Sequence, residues 1–422
     1  MPTASSSTTL VPPTSTPTLT GKRVAVIVFS YFPNDPRVFR AATALSETGA
    51  HVDLFCLGKG GEPKMESLSG VNVTRVGIKK SRAGKLAYIK QYVAFTAAAF
   101  AWLSKRSLKL RYHLVHVHNM PDFLVFSALL AKLLGSKVVL DLHDPMPEVF
   151  IAKYGLKPNH PLLHLLRFIE KLSIGFADLV LTPNRAFEKL FTSRSGPQEK
   201  IEIVMNSPLE EVFPLVSPPP VDEGRKKDDP FRLMYHGTLV ERHGLHTAIN
   251  ALFDLLDDYP GLTFDIYGAP TPYLTGTILP LIDELGLQEK VRYHGEKSLT
   301  EIAKAVTECD LGLIPNLQSA FTEINFPTRI FEYLALGKPV VVPRTPGIED
   351  YFDSEDIIFF DWQKDNTRGQ DEEEELAEKI EWIFQHPIET RILVGRGQAI
   401  YLRHLWQAER QRFLRLILAL VN

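Results

Sequence analysis

The sequence predicts an α/β protein made of two Rossmann-like domains in tandem, each a parallel sheet covered by helices on both faces. Three observations carry that prediction. The chain has 422 residues, more than one hydrophobic core normally supports, so two domains are the default. Short, nearly continuous apolar runs alternate with helical stretches in two separate series, the pattern of strands buried on both faces. A stretch at 205–230, rich in proline and charge, separates the two series and reads as a linker.

The first series begins with a strand over 23–30, a turn-rich loop over 31–36, a helix over 37–48 and, after Gly49, a strand over 51–57. It continues with a strand over 114–118, a helix over 121–134, a strand over 137–142, a strand over 178–182 and a helix from about Arg185. The second series runs strand 232–236, helix 245–256, strand 263–267, helix 277–285, strand 291–294, helix 300–306 and strand 311–315. It closes on 325–342, NFPTRIFEYLALGKPVVV, where Pro327 suits a first helical position and Gly337 stops the helix before the apolar run 340–342. Glu332 interrupts a helix otherwise built of Ile330, Phe331, Leu334, Ala335 and Leu336. A carboxylate in so apolar a setting needs a partner, and a pair of ligand hydroxyls is one candidate. The expected division is a disordered tail over 1–20, domains over 21–204 and 231–400 joined by the linker 205–230, and an amphipathic C-terminal helix over 401–422 expected to cross back onto the N-terminal domain.

Composition narrows the function classes. Hydrophobic residues at 45% and charged residues at 23% fit a folded globular chain and exclude a repetitive or wholly disordered one. A net charge of −3 exerts no general pull toward nucleic acid. Cys56 and Cys309 are the only cysteines, too few for a metal knuckle or disulfide framework, which points to a reducing, cytoplasmic setting. The first twenty residues have no basic flank or apolar run, so no signal peptide is expected. The longest apolar run of the N-terminal half, 93–103, falls well short of the roughly 20 residues that span a bilayer.

Seven strings in order, DPRVFRAATALSETGAHVDLFC, HVHN, LDLHD, YHGTLVERHGL, FDIYG, VRYHG and CDLGLIPN, lead into FPTRIFEYLALGKPVV. Together they give the chain a strong resemblance to the retaining nucleotide-sugar glycosyltransferases of family 4, which have the two-Rossmann GT-B fold with the ligand in the cleft between domains. The resemblance implies a hexosyltransferase that moves sugar from a nucleotide diphosphate sugar to a saccharide or lipid-linked saccharide, in polysaccharide or glycoconjugate synthesis. It implies no metal or other cofactor. It gives Glu332 the donor ribose, and puts the diphosphate near Pro327, Thr328 and Arg329, where a helix N-terminus favours an anion. The turn after strand 232–236 supplies Gly237, Thr238, Arg242 and His243 to the donor, and Gly268 and His294 close its edge.

Arg242 is the expected neutraliser of the leaving diphosphate, since Thr238 and His243 stand where the family usually has arginine and lysine. His143, at a strand's carboxyl end, is implied to face the transferred sugar, with Asp144 beside it. Glu323 is a further catalytic candidate, although eight residues separate it from Glu332 where the common pattern has seven. The loop over 31–37 lacks the family's paired glycines, so Asp35 and Arg37 shift toward the acceptor; an N-capping aspartate and a solvated arginine explain them nearly as well. His118 joins them as a cleft-lining candidate, while His116 reads as structural. No carboxylate or cysteine lies at ligand spacing around this histidine pair, so no metal is expected.

The stretch 79–111 carries basic residues and no acidic one around Tyr88, Tyr92, Phe95, Phe100 and Trp102. It reads as a peripheral contact with an anionic membrane face, or as a domain helix with a basic rim. Two rival functions share the fold: a nucleotide-sugar 2-epimerase, and a non-catalytic nucleotide-sugar-binding homologue.

Overall fold

A computed structural model of the chain describes residues 18–78, 85–362 and 372–422. The chain divides into two compact units. The first holds Met1–Asp141, Ser173–Val180 and Arg410–Asn422; the second holds Leu142–Leu172 and Leu181–Glu409.

The N-terminal sheet is built from β1 (Arg23–Tyr31), β2 (His51–Leu57), β3 (Met65–Leu68), β4 (Val71–Val76), β5 (Leu114–His118), β6 (Lys137–Asp141), β7 (Leu179–Thr182) and β8 (Ile201–Ile203). Its order is β3-β4-β2-β1-β5-β6-β7-β8, with β1 parallel to both β2 and β5. The hairpin of β3 and β4 is the antiparallel departure from the expected series. It announces itself through alternation, Val71 and Val73 against Asn72 and Thr74, and not through a continuous apolar run. The helix Pro36–Glu47 starts where expected: Asp35 caps it by accepting from the Arg37 backbone N–H, and Val38, Ala41, Ala42 and Leu45 are buried. The predicted helix over 121–134 opens instead as a 3-10 segment, Asp122–Ala128, before the α-turns Leu129–Leu133.

The helix Lys85–Ser107 buries Tyr92, Phe95, Ala99 and Leu103, one face at helical spacing. Phe95 packs edge-on against Phe29, and Trp102 stacks on Phe55. The expectation that these aromatics enter a membrane interface is therefore corrected for Tyr92, Phe95 and Trp102, which serve the protein interior. Ile89, Val93 and Phe100 remain exposed on the same helix. The start of the basic stretch, 79–84, lies outside the described residues. Among the described residues no helix is long and apolar enough to cross a membrane.

The second sheet comprises β9 (Phe231–His236), β10 (Leu262–Tyr267), β11 (Val291–Tyr293), β12 (Leu311–Leu313), β13 (Val340–Pro343) and β14 (Ile358–Phe360). Its order is β11-β10-β9-β12-β13-β14 and every pairing is parallel. Successive residues of β9 feed opposite faces. Leu233 and Tyr235 join a core with Ile249, Leu252, Phe264 and Leu313, whereas Met234 joins Ile330, Phe331, Tyr333 and Val342. The chain reverses direction across the sheet between β9 and β12, so the loops leaving these two strands border the crevice in which doubly wound sheets bind ligands.

Candidate functional site

The loop after β9 borders that crevice and is held by a dense set of contacts. Gly237 has φ +133°, a conformation open to glycine, and a Cβ there would come within 3.1 Å of Arg329 Nη1. Arg329 in turn donates from Nη1 to the His236 carbonyl at 2.6 Å and lies over the Tyr235 ring at 4.6 Å. Gly268, after β10, sits so close that a Cβ would meet the Gly237 carbonyl at 2.2 Å. The turn is cross-linked from within: the Tyr235 hydroxyl donates to the Thr238 carbonyl at 2.8 Å, and His243 Nδ1 lies 2.7 Å from the same oxygen. Burial, then Arg329, pushes His243 down to about 3, so Nδ1 holds the proton for that bond and the ring is neutral. His243 therefore brings no positive charge to the place where the family usually has lysine.

Arg242 supplies the charge. Burial pushes its guanidinium below the ordinary arginine value while Asp144 acts to raise it, and Nε is buried without a hydrogen-bond partner among the described residues. Phe321 packs under the guanidinium at 5.7 Å. A buried, unpartnered N–H on an arginine is a donor waiting for an acceptor. Asn316, three residues after β12, has the same character: it is buried and its Oδ1 lacks a partner among the described residues. Asn316 stands in the quoted string CDLGLIPN, and its position just past a strand's carboxyl end was the signal that could have singled it out.

The opening of 325–342 is corrected in one detail. Its helix runs Arg329–Ala335, with Thr328 at the N-cap, so Pro327 lies before the helix and not at its first position. The Ile330 N–H bonds the Pro327 carbonyl at 3.0 Å, a tight turn that leads in from the proline. Gly337, at φ +71°, ends the helix as expected. Glu332 is half-buried and its Oε2 lies 3.3 Å from His236 Nε2, at the carboxyl end of β9. Burial, then Arg329, pushes His236 down to about 3, so it is neutral beside the carboxylate. Gly237, Arg329, Glu332 and Gly268 are thus brought together.

The remaining candidates lie around this centre or apart from it. Glu323 accepts from Gln318 Nε2 at 2.8 Å, and its backbone carbonyl accepts from the Gly347 N–H. His294 stacks on Tyr267 and its Nε2 lies 2.6 Å from Asp265 Oδ1. His143, buried, and Asp144, half-buried, follow β6. In the first unit, Asp35 both caps its helix and pairs with the Arg37 side chain at 3.3 Å. A mostly apolar cavity lined by Pro218, Arg225, Asp310, Lys338, Phe384 and Arg391 contains none of the expected site residues.

The histidine pair corrects the sequence reading. His118 of β5 is in register with Asp141 of β6, which carries a carboxylate to within 3.4 Å of both His116 Nε2 and His118 Nδ1. A carboxylate that no linear spacing revealed does complete this group.

Neutral, buried His236 makes stability pH-dependent. Its folded value lies below the unfolded one near 6.5, so its contribution is fully present above that pH and is lost as pH falls from 6.5 toward 3. The expected loss between pH 6.5 and 4.5 is roughly 2 kcal/mol from this residue. Urea unfolding at the two pH values, repeated with His236→Asn, checks it; an equal slope in both proteins sinks the assignment.

A glycosyl transferase 4-like domain model matches residues 35–207, and a glycosyl transferase-like model matches 242–415. The chain is 22% identical over 350 residues to a chitobiosyldiphosphodolichol beta-mannosyltransferase of Candida albicans, covering 78% of this chain and 74% of the relative. Its fold is similar to sucrose-phosphate synthase from Thermosynechococcus elongatus, with TM-score 0.72, 17% identity, and coverage of 94% and 98% of the two chains. It is also similar to Anabaena Alr3699/HepE in complex with UDP-glucose, with TM-score 0.69, 16% identity, and coverage of 94% and 99%. The chain has the GT-B fold, and its two halves each match a glycosyl transferase-type domain model.

Proposed function

We propose that this protein transfers a hexosyl unit from a nucleotide diphosphate sugar to a hydroxyl of a saccharide or lipid-linked saccharide acceptor. The observation that carries the reading is the half-buried Glu332 carboxylate at the carboxyl end of β9, in the crevice of a doubly wound sheet. A carboxylate accepts two hydroxyl hydrogens at once, which suits the ribose diol of the donor. Arg242, with its buried Nε, neutralises the diphosphate as it leaves, and the turn leading into the Arg329–Ala335 helix supplies backbone donors. His143 and Asp144 orient the transferred sugar, and Asn316 is added to the donor contacts. Glu323 and His294 have protein partners already and take supporting places at the rim.

Support for the donor class comes from a structural neighbour described in complex with UDP-glucose, and for a lipid-linked acceptor from the relative whose name contains a diphosphodolichol acceptor. The exposed Ile89, Val93 and Phe100 give a cytoplasmic enzyme a small apolar face for peripheral contact with the membrane that holds such an acceptor. Resemblance to family 4 implies retention, while that relative is named for a beta-mannoside; the anomeric configuration of the product, read by NMR, decides.

The donor reading is tested by calorimetric titration with UDP-glucose and GDP-mannose. Glu332→Ala is expected to weaken the preferred donor about 10- to 100-fold, the loss of charge-assisted bonds worth about 1.5–3 kcal/mol. Unchanged affinity rejects the ribose role. Nucleotide release that depends on an added saccharide acceptor supports transfer, whereas release or epimerisation without one overturns it.

A further inference from the structure

His116, His118 and Asp141 converge inside the first unit at the paired ends of β5 and β6. Their candidate donor atoms lie within 4.8 Å of one another, and both nitrogens lie 3.4 Å from the single oxygen Asp141 Oδ2. A tetrahedral ion with bonds of about 2.1 Å holds neighbouring donors about 3.4 Å apart, so two edges of the polyhedron already have the required length. His116 is completely buried, and among the described residues its ring nitrogens make no hydrogen bond of ordinary geometry, Asp141 Oδ2 being the polar atom beside Nε2. A fully buried imidazole whose polar contact is loose is costly, and a bound ion shared with the carboxylate removes that cost. Phe413 packs 5.6 Å from the His116 ring and supplies an apolar shell on that side.

We propose that His116 Nε2, His118 Nδ1 and Asp141 Oδ2 form a zinc-type divalent metal site that ties β5 to β6. Two imidazoles and a carboxylate are a donor set suited to zinc, with a fourth position left for water or another oxygen. The ion is structural: it stands in the first unit, and it binds His118 as a ligand in place of an acceptor role.

The test uses the untagged 422-residue chain, stripped with a chelator, dialysed and then given ZnCl2 or CoCl2. Expected results are one zinc per chain after gel filtration, a raised melting temperature, and visible cobalt ligand-field bands without thiolate charge-transfer bands. Asp141→Asn is expected to weaken zinc binding at least about tenfold. The proposal is overturned if the folded wild-type chain keeps no stoichiometric zinc, if thiolate bands place the ion on Cys56 or Cys309, or if folded Asp141→Asn binds as tightly as wild type. Should both Asp141→Asn and His116→Asn fail to fold, the wild-type zinc stoichiometry and cobalt spectrum decide alone.

Discussion

Arg194→Ala is expected to destabilise the fold by about 3–5 kcal/mol, the cost of leaving buried charge without its partner. Arg194 makes a two-bond fork with Glu148, at 2.7 and 2.9 Å, and a second with Glu170, at 2.9 and 2.6 Å. Glu170 has no exposed side-chain surface, and Ser195 Oγ donates to it as well. Burial disfavours the guanidinium charge, but the two carboxylates more than offset that and raise Arg194 above its ordinary value. Without the arginine, two carboxylates face each other in an apolar setting. The effect reaches the candidate site because Glu148 stands in the first turn of the helix Met146–Tyr154, which begins two residues after the His143-Asp144 pair. Urea unfolding of Arg194→Ala measures the loss. Arg194→Lys keeps the charge but not the fork, and is expected to fall between the two. A further variant, Arg194→Met with Glu148→Leu and Glu170→Leu, is expected to recover most of the stability, since apolar replacement of a whole buried ion group removes its desolvation cost. A loss below about 1 kcal/mol for Arg194→Ala would show that the three groups are hydrated and not buried together.

The second sheet was legible because its strands are apolar runs set off by helices of regular length. Punctuation residues such as Gly237, Gly244 and Gly337 mark the ends. The expectation of a ligand beyond the carboxyl ends of the strands followed from that alternation, while the point at which the sheet reverses, between β9 and β12, came from the strand order. What escaped depends on pairing across distance. Asp141 reaches His118 only through the register of two parallel strands, and Arg194 meets Glu148 and Glu170 from 46 and 24 residues away. The β3–β4 hairpin was missed because a half-exposed edge alternates instead of running apolar. Pro327 misled by two positions: its fixed φ suits a tight turn as well as a first helical residue, and neighbouring packing chose the turn. The charge of His243 was likewise invisible, because only its burial and its bond to Thr238 make the ring neutral.

Gly244→Ala is expected to be the most damaging single methyl group in the candidate site. Gly244 has φ +62°, and a Cβ there would stand 1.8 Å from the Pro315 carbonyl oxygen and 3.2 Å from Leu317 Cδ2. Neither loop can simply withdraw, because the Leu317 N–H bonds the Arg242 carbonyl at 2.9 Å and so ties the loop after β12 to the loop after β9. The left-handed conformation alone costs roughly 1–2 kcal/mol for a residue with a Cβ. Displacing backbone to admit the methyl adds about 1–3 kcal/mol, as overpacking does. The same displacement separates Arg242 from Asn316, so donor affinity is expected to fall at least tenfold along with stability. Gly286→Ala is the matched control, since Gly286 has φ +67° but no atom within 4 Å of the added Cβ. It carries the conformational cost without the collision and is expected to leave donor binding unchanged. Thermal melts and donor titrations on the two variants separate the terms. If Gly244→Ala and Gly286→Ala lose the same stability and keep the same donor affinity, the contact between the two loops does not hold the site together.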